Sequence, residues 1–246
     1  MIEIRGLTKV FGEKRVLDGI SVDIKEGELF SVIGPSGMGK STFIRCLMRL
    51  LKPDAGSVKV DGQEMASATN EFTLAKIRRS FGYLFQEGAL FDSLTVFENV
   101  SFGLRYLTDI PKSDYQRIVR EKLALVGLKD VEQLKPAELS VGMKKRVALA
   151  RSIAVEPKYI LYDEPTTGLD PVTTGMVKDL ITDMRAKLGI TSVVVTHDMN
   201  LALEISSRVA MLNNGKFVEV CEPACFRRSS NPEVREFMRI SHISKE

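Results

Sequence analysis

The sequence predicts an α/β protein: a mostly parallel sheet with helices, interrupted by a helical insertion. Three observations carry this. Apolar, strand-length runs alternate with helical segments toward both ends of the 246-residue chain, the pattern of a parallel α/β core. Between about residues 95 and 155 the strands stop and helices follow one another. A glycine-rich stretch, Gly34–Ser41, joins an apolar strand to a helix.

In chain order, residues 1–33 alternate like strands: Ile2 and Ile4, then Val16, Leu17, Ile20, Val22 and Ile24, then Leu29–Ile33. Residues 40–51 read as a helix. Val58–Val60 is a strand running into the turn Asp61-Gly62. Residues 71–80 are helical and Phe81–Phe85 is a short strand. Thr95-Val-Phe-Glu98 is a capping box that opens a helix. A second helix covers 111–126, with Pro111 early, and a third covers 141–155. Tyr159–Tyr162 and Ser192–Thr196 are strands on either side of a helix at 172–188. Residues 199–207 are helical. Arg208–Leu212 and Phe217–Val220 form a hairpin across Asn214-Gly215. Asn231-Pro232 caps a last helix that sets Val234, Phe237 and Met238 on one side. That side packs on its own chain, or docks on a second copy of it or on a small regulatory protein.

Composition narrows the class. Hydrophobic residues make up 44% and charged residues 27%, enough for a globular protein with a real core. A net charge of +3 is too mild for a nucleic-acid binder, which concentrates basic residues on one face. The three cysteines, Cys46, Cys221 and Cys225, have no disulfide-like spacing. Cys221-x3-Cys225 lacks a second ligand pair and gives no metal site by itself. The N-terminus is strand-like rather than a signal, so a reducing, cytosolic chain is expected. No run approaches the roughly 18 apolar residues of a spanning helix. Work at a membrane would need another chain to do the crossing.

Gly34-Pro35-Ser36-Gly37-Met38-Gly39-Lys40-Ser41 matches the phosphate-loop pattern G-x-x-x-x-G-K-[ST]. About 0.01 chance matches are expected in a chain of this length from ordinary residue frequencies. The glycines let backbone amides close around phosphate, and the helix N-terminus adds its dipole. Lys40 would reach the terminal phosphates, and the Ser41 hydroxyl would bind Mg²⁺. Tyr159–Glu164 ends an apolar strand on two carboxylates. Beside a phosphate loop these divide the work: Asp163 holds the Mg²⁺ shell, and Glu164 orients and deprotonates the attacking water. His197 ends the strand Ser192–Thr196 and is placed for a terminal-phosphate contact. Gln86, after strand 81–85, has no meaning by itself.

One helix start is odd. Ser140 is a good N-cap, yet Lys144, Lys145 and Arg146 follow in the first turns. Cations there face the positive pole of the helix, at a few tenths of a kcal/mol each. An anion supplied from outside is one resolution.

Together these pieces resemble the ATP-binding cassette of ABC transporters over nearly the whole chain. The resemblance implies a P-loop NTPase with a RecA-like core, an N-terminal antiparallel β subdomain and an inserted helical subdomain. Residues 1–246 would form one ATPase domain. Its core and β subdomain would span 1–91 and 156–230, its helical insertion 92–155 and its tail helix 231–246. Gly34–Ser41 looks like Walker A, with Thr42 beside it, and Tyr159–Glu164 looks like Walker B. Gln86 matches the Q-loop glutamine, a metal and water contact. Thr167-Gly-Leu-Asp170 matches the D-loop and His197 the switch histidine. Phe11 sits where the family stacks an aromatic on adenine. Leu139-Ser-Val-Gly-Met143 stands in place of the signature Leu-Ser-Gly-Gly-Gln. Val141 replaces a glycine there, and Met143 replaces a glutamine that would complete a capping box.

In the family two cassettes pack head to tail. The Ser140–Gly142 terminus then serves the ATP of the other copy, and the polyphosphate supplies the charge the three cations lack; Asp170 counts among the nucleotide contacts. The resemblance implies ATP and Mg²⁺, a second copy of the chain, an integral membrane permease and a place on the cytoplasmic face of the inner membrane. A narrower similarity, to Mla/Mce-type phospholipid transport ATPases, rests on Gln86–Val100, Gly142–Arg151 and Asn231–Phe237. It implies a lipid cargo and adds a lipid-shuttling protein and a small regulatory protein as partners. The alternatives are the ATPase of an amino-acid or metal importer and a division-type regulatory cassette. In the family a short permease helix sits beside the Q-loop, and Gly88-Ala-Leu-Phe91 with Leu94 and Phe97 is an apolar cluster at that place, either buried under the helical lobe or presented to the permease.

Overall fold

The computed structural model describes residues 1–65 and 70–241. The chain divides into two compact units, Met1–Arg78 with Arg185–Glu246, and Arg79–Met184. Each has its own sheet segment and core.

In the first unit, β1 (Ile2–Phe11) pairs antiparallel with β2 (Lys14–Ile24) and with β4 (Ala55–Val60), which pairs with the short β5 (Gln63–Glu64). Ile2 and Ile4 alternate into the core as a half-buried strand of period two does, and an irregularity in the pairing after Ile4 brings Leu7 to the buried side. This is the antiparallel β element expected near the N-terminus. A second layer is centred on β3 (Leu29–Ile33), which pairs parallel with β8 (Thr191–Thr196) and with β9 (Arg208–Asn213). All five residues of β3 and all six of β8 are buried, the small polar Ser31, Thr191, Ser192 and Thr196 along with the apolar residues, as in a parallel strand covered on both faces. β9 turns into β10 (Lys216–Cys221) through Asn214 and Gly215, both at positive φ (45° and 77°), as a two-residue hairpin turn requires.

The helices of this unit are α1 (Lys40–Leu47), α2 (Glu71–Arg78), α7 (Met199–Ile205), α8 (Pro223–Arg227) and α9 (Pro232–Ile240). α1 stops four residues short of the expected end at 51. Arg49 adopts φ 56° and the Arg49, Leu50 and Leu51 amides turn back to the carbonyls of Cys46 and Arg45, so propensity yields to a tight turn. α8 was not foreseen; at five residues it is too short for a periodic signal. Asn231 caps α9, accepting from the Glu233 amide at 2.9 Å. Val234, Phe237 and Met238 join Ile33, Leu203, Met211 and Phe226 in one core cluster. The described part of the tail therefore packs on its own chain; residues 242–246 lie outside the described residues.

In the second unit, β6 (Phe81–Leu84) pairs parallel with β7 (Tyr159–Asp163). Between them run α3 (Val96–Leu107), α4 (Tyr115–Leu125, preceded by a 3-10 turn at Lys112–Asp114) and α5 (Val141–Ile153), packed on one another. The capping box at α3 forms as expected: the Glu98 amide donates to Thr95 Oγ1 at 3.2 Å, and the Thr95 amide donates to the Glu98 carboxylate at 2.8 Å. α6 (Pro171–Leu188) follows β7. Among the described residues no helix is long and apolar enough to cross a membrane.

Candidate functional site

The phosphate loop leaves β3 and enters α1 in the first unit. Gly34 sits at φ 149°, and a Cβ there would lie 2.2 Å from the Leu212 carbonyl oxygen, so only glycine lets the loop leave the strand. Gly39 caps α1 in the left-handed region without a side-chain bond, and its carbonyl accepts from Phe43 at 2.8 Å. The amides of Lys40, Ser41 and Thr42 thus form the first turn of the helix, at the positive end of its dipole. Lys40 is buried, its ammonium donating to the carbonyls of Gly34 at 2.9 Å and Pro35 at 3.2 Å. It lies across the loop as an internal cation held by two backbone carbonyls.

His197 belongs to the same unit. Register pairs Ile33 with Thr196, so Gly34 and His197 are the next residues along two parallel neighbours and leave the sheet at the same end. His197 is exposed, while Asp198 behind it caps α7 by accepting from the Leu201 amide at 3.0 Å. Phe11, at the end of β1, is 46% exposed, with the Lys9 ammonium 5.1 Å from its ring centre. An apolar ring that exposed is open to stacking.

The second unit holds the carboxylates. Asp163 and Glu164 close β7, both buried. Leu84 pairs with Tyr162, so Gln86 leaves β6 alongside them, exposed. Asp163 accepts from the Tyr83 hydroxyl at 3.0 Å. Glu164 adopts φ 50°, a left-handed conformation disfavoured for a non-glycine residue and typical of residues held by a functional site. The Thr167 hydroxyl donates to its carboxylate at 3.2 Å.

Ser140 caps α5 as expected, accepting from the Met143 amide at 3.2 Å, and remains exposed. Met143 adds no reciprocal bond, so the cap is one-sided. Val141 is 60% exposed. Gly142 packs against the start of α6: a Cβ there would lie 2.8 Å from Thr173 Cγ2. Asp170 receives the Val172 and Thr173 amides at 3.0 Å and the Thr173 hydroxyl at 2.6 Å, which holds its carboxyl below the usual range. Ser140, Gly142 and Asp170 therefore belong to one surface of the second unit.

The cations after Ser140 find a different use from the one expected. Lys145 is buried and donates to the carbonyls of Pro165 at 3.0 Å and Thr167 at 2.7 Å. Arg146 donates to the Gly127 carbonyl at 3.1 Å. Two of the three charges are thus engaged by backbone dipoles of their own chain, and the polyphosphate is not needed to explain them.

Sequence reasoning missed four supporting residues: Lys145, Tyr83, Asn99 and Arg151. Asn99 is fully buried and bonds the amide of Phe91 and the carbonyls of Phe91, Leu94 and Thr95. Arg151 donates to the carbonyls of Gly88 and Ala89, each at 2.8 Å. These two side chains fix the segment after Gln86. Asn99 lies four residues after the N-cap of α3, on the turn above the loop; a polar residue on an otherwise apolar helix face was the available signal.

Residues 17–167 match the family described as "ABC transporter". The chain is 41% identical, over 96% of its length and 68% of the relative's, to a probable ribonucleotide transport ATP-binding protein of Mycobacterium leprae. It is 43% identical, over 89% of its length and 64% of the relative's, to a methionine import ATP-binding protein of Escherichia coli. The chain thus spans about two thirds of these relatives. Among solved structures it resembles an ATP-binding cassette in a dimeric post-hydrolysis state bound to ADP and phosphate, with TM-score 0.83 and 32% identity over 91% of this chain and 99% of that one. It also resembles a Clostridium perfringens cassette that is part of the ABC transporter complex cbiONQ, with TM-score 0.84 and 30% identity over 98% and 97%. With the glycine loop, the buried Asp-Glu pair and these likenesses together, the chain belongs to the ATP-binding cassettes of ABC transporters, a family of ATPases with the P-loop α/β fold.

Proposed function

We propose that the chain is the ATP-hydrolysing subunit of an ABC transporter, working as a head-to-tail pair of cassettes against a separate membrane permease, with a lipid as cargo. The observation that carries the chemistry is the buried Asp163–Glu164 pair at the end of β7, beside the exposed Gln86. Gly34–Thr42 wraps the phosphates through backbone amides, Lys40 neutralises the terminal phosphate charge, and Phe11 stacks on the base. Glu164 takes a proton from the attacking water. His197 and Gln86 hold the terminal phosphate and that water in line. Ser41, Gln86 and Asp163 each offer an oxygen, the donor type Mg²⁺ prefers, and would be the residues to hold that ion. When bound it supplies charge neutralisation between the phosphates. Ser140, Gly142 and Asp170 face the nucleotide of the second copy. Residues 92–155 form the helical insertion of the cassette.

The permease reading is supported by the surface of the second unit. Phe91 is 44% exposed and meets Phe102 at a tilt, and Phe102 meets Tyr106; Leu94, Phe97 and Phe102 line an open groove of about 400 Å³ together with Glu98, Arg105 and Lys112. That aromatic ground, a few residues after Gln86 in the chain, suits a short helix of another chain. The lipid reading rests on the similarity of Gln86–Val100, Gly142–Arg151 and Asn231–Phe237 to phospholipid transport ATPases. The likeness to a methionine import protein favours amino-acid import as the second reading.

Glu164→Gln tests the chemistry: nucleotide binding is expected to survive while turnover falls about 10²–10⁴-fold, measured with the partners present. Near-normal turnover removes Glu164 from its role. The same variant, held with ATP and purified in mild detergent, should bring a permease with bound phospholipid visible by mass spectrometry. A complex that instead binds methionine moves the assignment to the second reading.

A further inference from the structure

Glu219, Cys221 and Cys225 converge in the first unit, away from the phosphate loop's own strand end. Their ligand atoms all lie within 4.8 Å of one another. Glu219 and Cys221 are two residues apart on β10 and share a face. Cys225 rises from α8, and the next residue, Phe226, is fully buried in the core. That anchor sets the roll of the helix and leaves Cys225 exposed.

The carboxylate is built in rather than drifting. The Cys221 thiol meets Glu219 Oε1 at 3.6 Å. The Ser229 hydroxyl, itself buried, donates to Glu219 Oε2. Ser229 Oγ in turn accepts from the Asn231 amide, and the Asn231 side chain returns to the Val218 carbonyl, both at 3.1 Å. Three segments thus position one carboxylate against two thiols.

Two thiols and one carboxylate held within reach of one another are donor types that a thiophilic dication takes. A carboxylate contributes nothing to a disulfide, and its charge opposes the thiolate that forms one. A dication would displace the thiol protons and take all three groups as ligands. Zinc ligands at about 2.0–2.3 Å in tetrahedral array need only a small closure from the present spacing. The exposed face of Cys225 gives the ion its entry.

We propose that Glu219, Cys221 and Cys225 form a three-ligand site for a thiophilic divalent cation of the zinc class, with Ser229 orienting the carboxylate and the fourth position open to water. The site is independent of the nucleotide chemistry. Its occupancy ties the end of β10 to α8 and to the residues that lead into α9.

The test is a Zn²⁺ titration of the full chain, kept reduced and with Mg²⁺ in excess to fill oxygen-only sites. Calorimetry should report one equivalent, and Co²⁺ in its place should give a sulfur-to-metal charge-transfer band. Cys221→Ser with Cys225→Ser should abolish both signals, while Cys46→Ser leaves them. Ser229→Ala should weaken binding about 10–100-fold, as loss of an outer-shell partner does. A raised Tm with Zn²⁺ in the wild type alone completes the expected result. Absence of stoichiometric binding, or undiminished binding in the double variant, overturns the proposal. So does a Cys221–Cys225 disulfide in chains whose thiols were blocked at lysis.

Discussion

The Lys145 ammonium donates a 2.7 Å hydrogen bond to the Thr167 carbonyl, pinning the helix that Ser140 opens to the loop that follows Glu164. A second bond, to the Pro165 carbonyl, completes the pin. Burial lowers the lysine's pKa, and the charge of Glu164 opposes that shift. Lys145→Met should leave both carbonyls without this donor and destabilise the chain by about 1–3 kcal/mol, read by chemical denaturation. Turnover should fall in the same variant, because Thr167 also holds the Glu164 carboxylate. Unchanged stability and turnover would mean that the pin is incidental.

Ser140→Arg places a bulky cation at an exposed cap. Nucleotide binding by a single chain should persist while turnover by the pair is lost. Mixing it with Lys40→Ala chains should restore one composite site in part of the mixed pairs. Failure of Ser140→Arg to bind nucleotide at all refutes action on the second copy's nucleotide.

Leu90 is half-buried within the segment that Asn99 and Arg151 fix. Leu90→Asp should leave the isolated chain folded and nucleotide-binding, yet lose permease co-purification. A Tm lowered in the absence of any partner would identify Leu90 as part of the core instead.

The capping box of α3 sets an acid limb. Bonds from the Thr95 amide and hydroxyl hold the Glu98 carboxyl below its usual range. A carboxylate with a depressed folded-state pKa stabilises above its unfolded value, and that contribution is lost as pH falls through the folded value. The stability gap between wild type and Glu98→Gln should therefore be full near neutrality and shrink below about pH 4.5, the ordinary range of a glutamate. Thr95→Ala should cost about 1 kcal/mol at pH 7. A gap that does not change with pH would assign the cap to Thr95 alone.

What the sequence made legible follows the range of the forces. The Ile2–Ile4 alternation of β1, the apolar residues of β3 and β8, the Thr95 box and the Ser140 cap are local patterns, and the structure carries them where they were expected. The same holds for the two-residue turn at Asn214-Gly215. The early end of α1 was not legible, because the turn at Arg49 competes with good helix formers. Nor were the partners of Lys145, Asn99 and Arg151: each bonds backbone carbonyls, which carry no side-chain signature. Glu219 was missed for a simpler reason. Cys221-x3-Cys225 lacks a second ligand pair in sequence, and the proposed third ligand is a single carboxylate two residues upstream of Cys221.

Glu164 holds φ 50°, and this sets fitness against robustness at one codon. Glycine, and to a lesser degree asparagine, tolerate that backbone without strain. A library at position 164 selected only for heat tolerance should drift toward those residues and away from glutamate. Selection for transport should pull it back. The cassette keeps at this position a residue that its backbone alone would not choose, which is where stability and activity part company.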